Sequence, residues 1–504
     1  MKILLSKYFL TCDIGTSATK TVLYDENFKS VARAGEENIS KHPKACWFEA
    51  DPNQWWASVI REIKTVTEDI DSANIAGVAT CAQMHAPILV DREGNSLYPC
   101  LSWPDGRTVK LVKEVERETG IPQSYFTTTA PKLLWINRHA PDAIENTYKV
   151  LLPKDFIRMK LSDTFCTDTS DSRGTGMYDA DNDTWNWKIA DYIGLDHDKL
   201  PDVYPAEKVV GAITEKVAKE TGLHEGTPVI TGTSDFSIGR RIEQSVLKPK
   251  NILVYLGTGP GIWWISPDDP FTRRNRSSLC ILGVAGTMPQ WFKNTFCHED
   301  SLQAEVQGIN VFDLLDAEAE KIEPGVDGLI VLPHLMGERS YAGRTIAADS
   351  NLNPYARGVF YGLCMGHTRY HMFRAIREGI TYHLRLCWEK IQAANPGSKS
   401  NHIIVTGGGA KSRLWRQIIA DNFNIPVSRL RELETSTLGM ACLTAVGIGK
   451  YKDFNEAASY VENPVLEEIQ PNPKNYARYT EMYKLYKRLE LGLEPFFQPI
   501  TGSG

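Results

Sequence analysis

The chain has 504 residues, 42% hydrophobic and 23% charged, with 38 Gly and 27 Pro, a composition that excludes disordered, collagen-like and low-complexity classes. Lys and Arg number 56 against 62 Asp and Glu, a net charge of -6 that offers no broad electrostatic footprint for nucleic acid or an anionic membrane. At roughly 100–200 residues per domain, the length predicts two or three domains with a cleft between them.

The ten cysteines, from Cys12 to Cys442, never form a CxxC pair, which fits neither a zinc ribbon nor a compact disulfide framework and predicts reduced thiols in the cytoplasm. The apolar run Ile3 to Leu5 stops at Ser6 and Lys7, too short for a secretory leader. No stretch approaches the ~20 apolar residues of a membrane span. The expected location is cytoplasmic, with neither nucleic acid nor membrane as a partner.

Tyr8 to Asp25 reads as a hairpin: an apolar strand, a turn at Gly15-Thr16-Ser17, and a second strand, Thr21 to Tyr24, ending at Asp25. Asp13 closes the buried strand. A carboxylate there can hold a hydrated Mg²⁺ while backbone N–H groups and hydroxyls of the turn approach phosphate oxygens; the alternative is an Asx-type turn with no ligand. Ala57 to Thr67 has helical spacing, and Ile75 to Thr80 is a short β-branched strand. Gln83-Met84-His85 beyond it either faces a polar ligand or is structural. Trp103-Pro104-Asp105-Gly106-Arg107 joins an aromatic platform to charged groups, a combination suited to a sugar, or else forms a turn closed by an Asp–Arg pair. Val150 to Leu152 and Pro228 to Ile230 read as buried strands. Asp235, after Thr231-Gly232-Thr233-Ser234, either takes the proton of an attacking hydroxyl or caps the helix that follows.

The polar stretch Gln244 to Lys250 marks the expected domain boundary, near Lys248. Asn251 to Ser266 then repeats the opening design, with Ile252 to Leu256, the turn Gly257-Thr258-Gly259-Pro260-Gly261, and Ile262 to Ile265. Two Gly-Thr hairpins predict two related domains, 1–247 and 248–495, with 496–504 as a flexible tail. Loops from both could grip a polyphosphate, the positioning that phosphoryl transfer requires. Gly328 to Pro333 and His402 to Thr406 read as strands, Phe373 to Lys390 and Arg413 to Asn422 as helices, so strands and helices alternate in α/β layers. Gly407-Gly408-Gly409, between strand and helix, either lets a ligand lie on bare backbone near a helix N-terminus or forms a tight βα turn.

In this order the motifs resemble the FGGY family of carbohydrate kinases, its xylulokinase branch most of all. Phe126 to His139, centred on Ala130-Pro131-Lys132-Leu133-Leu134-Trp135, is similar to the first family signature, and Gly358 to Leu363 with Arg374 to Gly379 to the second. Val150 to Asp155, Asp168 to Asp171 and Leu332 to Arg339 lie between them. The resemblance implies an α/β, actin-like ATPase (ribonuclease H-like) fold with two related domains flanking a catalytic cleft. ATP with Mg²⁺ would be the phosphoryl donor and a ketose the acceptor, D-xylulose becoming D-xylulose 5-phosphate. The resemblance also implies residue roles. Asp235 matches the general base, and Asp13 the group that holds Mg²⁺ through water. Thr16, Ser17 and Lys20 lie beside the phosphates, while Thr258, Gly286, Gln290, Gly408, Gly409 and Arg413 match nucleotide contacts. Met84 and His85 match the pair that holds the ketose, with Trp103, Asp105 and Arg107 beside it. A homodimer is left open.

Three departures bear on the substrate. Phe236 and Pro104 stand where xylulokinases usually place Asn, and the segment between Arg339 and Gly358, with Tyr341-Ala342-Gly343-Arg344, is long. Losing two amides relaxes selectivity for the hydroxyls they read. Ribulose, another sugar or a polyol such as glycerol then becomes an alternative acceptor, although Gln83-Met84-His85 replaces the Arg-Glu-Thr motif of glycerol kinases. From another class, the alternative is a nucleotide-binding sugar sensor without turnover.

Overall fold

The computed structural model describes residues 8–123, 129–247, 249–265, 279–338, 341–342 and 353–498. Ser266 at the end of the second hairpin, Phe126 to Thr128 of the first signature, Lys248, Arg339, most of the long segment before Gly358, and the tail from 499 lie outside them. The chain divides into two units: Met1–Val246 with Glu434–Glu462, and Leu247–Leu433 with Asn463–Gly504.

Unit 1 opens with the hairpin β1 (Tyr8–Ile14) and β2 (Ala18–Asp25), continued by β3 (Ser30–Glu37). β1 is almost wholly buried, as a strand covered on both faces must be, whereas β3 alternates half-buried and exposed residues because it is an edge. Helix α1 (Pro52–Thr67) starts earlier than the expected Ala57: the Asp51 carboxylate accepts from the Asn53 N–H at 2.9 Å, and Pro52 presets the first helical φ. β4 (Ile75–Ala82), α2 (Pro153–Ser162), α3 (Thr169–Gly174), β5 (Val209–Ala212), β6 (Pro228–Ile230) and α4 (Asp235–Val246) follow. The sheet runs β5-β6-β4-β1-β2-β3, with β1, β4 and β6 parallel and the rest antiparallel to their neighbours.

Unit 2 repeats this plan with β7 (Ile252–Tyr255), β8 (Gly261–Trp264), β9 (Leu279–Ile281), α5 (Arg369–Ala394), β10 (Ile403–Thr406), α6 (Arg413–Phe423) and β11 (Val427–Leu430). Its sheet runs Tyr341–Ala342, β9, β8, β7, β10, β11 and β12 (Val465–Ile469), again with the first strand parallel to the crossover strands. An antiparallel meander extended by parallel strands, present twice, is the actin-like, ribonuclease H-like architecture.

The chain leaves unit 1 near the expected boundary but returns to it. Helix α7 (Thr435–Gly447) packs on α4, β1 and β4, so residues 434–462 of the expected second domain group with the first unit. The cause is apolar cover. The sheet face bearing Phe9, Val22, Tyr24, Ala79 and Ile230 is closed by Ile238 and Ile242 of α4 together with Leu438, Met440, Ala441 and Leu443 of α7. The two helices meet closely, since a Cβ on Gly439 would lie 2.7 Å from the Ile238 side chain. The opposite face packs Leu10, Cys12, Ile14 and Val78 against Trp55, Val59 and Ile63 of α1 and Phe156 of α2. In unit 2, α5 and the C-terminal helix α8 (Pro473–Leu493) bury Phe373, Ile376, Tyr382, Tyr483 and Tyr486 into one core. All ten cysteines are free thiols, with only Cys46 and Cys364 reaching the surface. Among the described residues no helix is long and apolar enough to cross a membrane.

Candidate active site

The period-two alternation of β1 sends Phe9 and Asp13 to the α7 face and Leu10, Cys12 and Ile14 to the α1 face. Buried Asp13 stands opposite Lys20 in the hairpin register. Its Oδ2 accepts from Ser436 Oγ at 2.7 Å; buried Oδ1 has no N–H or O–H donor among the described residues, and the Cys81 thiol lies beside the carboxyl. Burial raises the Asp13 carboxyl above the usual range, opposed by Lys20 and the Ser436 bond. Lys20 pairs with Glu434, and although burial disfavours its ammonium, Glu434 and Asp13 hold its pKa above the ordinary value. Glu434 and Ser436 escape sequence reasoning. The hydroxyl-rich run Thr435-Ser436-Thr437 ahead of Leu438 signals a helix start, but nothing local ties it to a strand 423 residues away.

The 15–17 turn is fixed by Asn38, whose Nδ2 donates to Gly15 O at 2.8 Å and whose N–H donates to Ser17 O at 2.9 Å. Thr16 Oγ1 accepts from Trp103 Nε1 at 2.8 Å and donates to Gln83 Oε1 at 3.4 Å, while Ser17 is exposed. Thr16, Trp103 and Ser102 therefore form one polar cluster joined through Gln83, beyond the ends of β1 and β4. Met84 and His85 pack on Gly174, where a Cβ would lie 2.6 Å from Met84 Cε and 3.0 Å from His85 Cε1. Burial, then the Lys132 ammonium, pushes the His85 imidazole down to about 3, so the ring is neutral. Asp105 and Arg107 bind each other: Arg107 Nε lies 2.9 Å from Asp105 Oδ1, and Nη2 lies 2.8 Å from both Asp105 Oδ2 and Glu49 Oε1. These contacts are those of a turn closed by its own ion pair. Only Arg107 Nη1, buried, makes no hydrogen bond among the described residues.

Asp235 opens α4. Ser234 holds the capping position, its Oγ accepting from the Ser237 N–H at 3.4 Å. Asp235 Oδ1 accepts from the Phe236 N–H at 2.6 Å, and Oδ2 accepts no hydrogen bond among the described residues. Burial, reinforced by Asp13, drives the Asp235 carboxyl well above the ordinary range. Ser170 Oγ, 2.7 Å from Ser237 Oγ, links this loop to α3. Behind it lies an ionic network with no exposed member. Lys154 Nζ sits 2.5 Å from Asp155, 3.0 Å from Asp168 and 3.3 Å from Asp171, and Arg158 Nη1 sits 2.9 Å from Asp155. Asp168 also accepts from Thr233 Oγ1 at 2.9 Å, fixing the segment before Asp235. Burial pushes Asp171 up to about 8, which leaves two cations and two carboxylates near neutral pH.

In unit 2 the glycine segments gather at the C-terminal ends of the parallel strands β7 and β10, where ligands of open α/β sheets bind. The Gly286 N–H donates to Thr258 O at 3.1 Å, and the Gly409 N–H to Leu256 O at 2.9 Å. A Cβ on Gly286 would lie 1.8 Å from Gly257 O, so only glycine permits this approach. Gly408 faces open space, Gln290 lies on the helix Met288–Phe296, and Arg413 is an exposed first residue of α6, 3.6 Å from Glu320.

Residues 8–240 match the N-terminal domain, and residues 282–448 the C-terminal domain, of the FGGY family of carbohydrate kinases. A xylulose kinase of Bacillus subtilis is 30% identical, with 96% of each chain covered. Among solved structures, a gluconate kinase from Lactobacillus acidophilus superposes with a TM-score of 0.72 at 27% identity, covering 97% of this chain and 98% of its own. A ligand-bound xylulose kinase from the same organism gives 0.71 at 26%, with the same coverage.

Proposed function

The chain belongs to the FGGY family of carbohydrate kinases, ATP-dependent sugar kinases, and on that premise we propose that it phosphorylates D-xylulose to D-xylulose 5-phosphate. The observation that carries the reading is the Asp235 carboxylate: relieved of capping by Ser234, it keeps Oδ2 unbonded and has a raised proton affinity. A base with that affinity takes the proton of a sugar hydroxyl as the oxygen attacks the γ-phosphorus of ATP. Neutral His85, with Met84 and Trp103, supplies hydrogen bonds and an apolar wall for the sugar, and Arg107 Nη1 offers a buried donor. Thr16, Ser17 and Lys20 in unit 1, and Thr258, Gly286, Gln290, Gly408, Gly409 and Arg413 in unit 2, are the proposed nucleotide contacts. Asp13 fits a hydrated Mg²⁺, because its buried Oδ1 is a hard oxygen without an N–H or O–H donor among the described residues. When bound, the ion supplies neutralising charge to phosphate oxygens. The proposed setting is the cytoplasm.

The gluconate kinase likeness, with Phe236 and Pro104 in place of amides, favours gluconate as the second candidate acceptor. ADP release is measured across ketoses, aldoses, polyols and gluconate. Turnover with D-xylulose supports the proposal; turnover with gluconate or glycerol and none with any ketose sinks it. Asp235→Asn should abolish turnover while ATP still binds, and a variant retaining most of its kcat removes Asp235 from the base role.

A further inference from the structure

We infer that unit 2 contains a zinc-type cation site formed by His334, His383 and Glu490, apart from every group assigned above to ATP, Mg²⁺ or sugar. The three come from separate elements: His334 just past the strand Ile330–Leu332, His383 in the middle of α5, and Glu490 near the end of α8. One ligand atom from each lies within 4.8 Å of the other two. Glu490 Oε1 stands 3.5 Å from His334 Nε2 and 3.6 Å from His383 Nδ1. Tetrahedral zinc, at about 2.0–2.2 Å from N and O ligands, separates those ligands by roughly 3.3 Å. The two contacts of Glu490 therefore need to contract by only a few tenths of an ångström.

The same separations are poor for hydrogen bonds, which have their optimum near 2.9 Å. His334 is 5% exposed, and its buried Nε2, 3.5 Å from Glu490 Oε1, makes no hydrogen bond among the described residues. A buried polar atom left this way calls for a partner, and a cation between the three side chains supplies one. On the far edge of the His383 ring, Glu338 lies 3.5 Å from Nε2. The negative charge there, although too far for a good hydrogen bond, favours the proton on Nε2 and leaves Nδ1 as the ligand atom, as outer-shell carboxylates do for metal-bound histidines. Tyr486 Oη, 2.9 Å from Nδ1, or a water completes four-coordination. Two imidazoles and one carboxylate suit zinc, whereas Mg²⁺ takes oxygen ligands and keeps its waters. Bound there, the ion would clamp α8 to α5 and to the segment following Leu332.

The full-length protein is stripped with EDTA and titrated with zinc chloride alone by calorimetry, with metal content measured after dialysis. The expected result is one zinc per chain, not displaced by millimolar Mg²⁺. His334→Gln and Glu490→Gln should each weaken zinc binding by at least ~100-fold, and Glu338→Gln by about 10- to 100-fold. Circular dichroism checks folding; should His334→Gln fail it, Glu490→Gln, at a partly exposed position, decides. Absence of stoichiometric zinc, or wild-type affinity in a folded Glu490→Gln, overturns the site.

Discussion

Replacing Lys154 with Met keeps most of the side chain's bulk but removes a cation that lies within 3.3 Å of three carboxylates, all sealed from solvent. Arg158 then remains paired with Asp155, and Asp168 and Asp171 lose their cation. Breaking a buried ionic pair by deleting one partner costs about 3–5 kcal/mol, because the abandoned charge cannot be rehydrated. Unit 1 comprises roughly 275 residues, and at ~2.1 cal/mol/K per residue its unfolding entropy converts that loss into a Tm decrease of about 5–9 °C. The penalty depends on pH in a defined sense. Asp171 has a folded pKa of about 8, above its unfolded value, so its contribution is full below the unfolded pKa and is lost as pH rises through 8. Without Lys154 the remaining carboxylates gain protons more readily. The Lys154→Met deficit should therefore shrink at pH 5 and widen at pH 9. Differential scanning calorimetry at about pH 5, 7 and 9 checks this. A variant that melts within about 1 °C of wild type at pH 7, or whose deficit grows toward pH 5, refutes the assignment of a balanced buried network.

Four further outcomes are expected. Ser436→Ala removes the 2.7 Å donor that lowers the Asp13 pKa, so Asp13 should titrate at higher pH and the acid limb of activity should move upward; an unchanged pH–rate profile with intact stability contradicts the role. Gly286→Ala forces its Cβ onto Gly257 O and should weaken ADP binding about 5- to 150-fold, the equivalent of 1–3 kcal/mol of overpacking. Calorimetry with ADP reads it, and the KM for sugar should stay within a factor of two or so. Gly174→Ala crowds Met84 and His85, so it should raise the sugar KM and leave the ATP KM alone. In the wild type the sugar KM should not show a histidine titration between pH 5 and 8, because His85 is already neutral there.

Local signals in the chain are enough to locate both Gly-Thr hairpins, the central strands and most helix interiors, because a strand buried on both faces must be apolar and a helix must repeat near 3.6 residues. They also single out Asp13, Thr16, Trp103 and Asp235 as candidate side chains. What they miss is tertiary. Asp51-Pro52 carried a readable start for α1, whereas the Ser436–Asp13 bond and the Lys20–Glu434 pair join residues more than 400 positions apart. Asp105 and Arg107 show the converse limit. Their charges suggest a ligand, yet the fold turns them toward each other and Glu49, a pairing that residue type and spacing do not decide.

The return of α7 to unit 1 constrains synthesis. A nascent chain that has emerged only as far as residue 247 carries the whole first sheet but lacks Leu438, Met440, Ala441 and Leu443, so the face bearing Phe9, Val22 and Tyr24 keeps only the cover of α4. Vectorial maturation, first half and then second, is therefore closed to this polypeptide, since the leading half waits for a segment emitted nearly two hundred residues later. A fragment ending at 247 should be sticky rather than native. A fusion of α7 to that fragment through a flexible linker is the shorter route to an autonomous N-terminal unit.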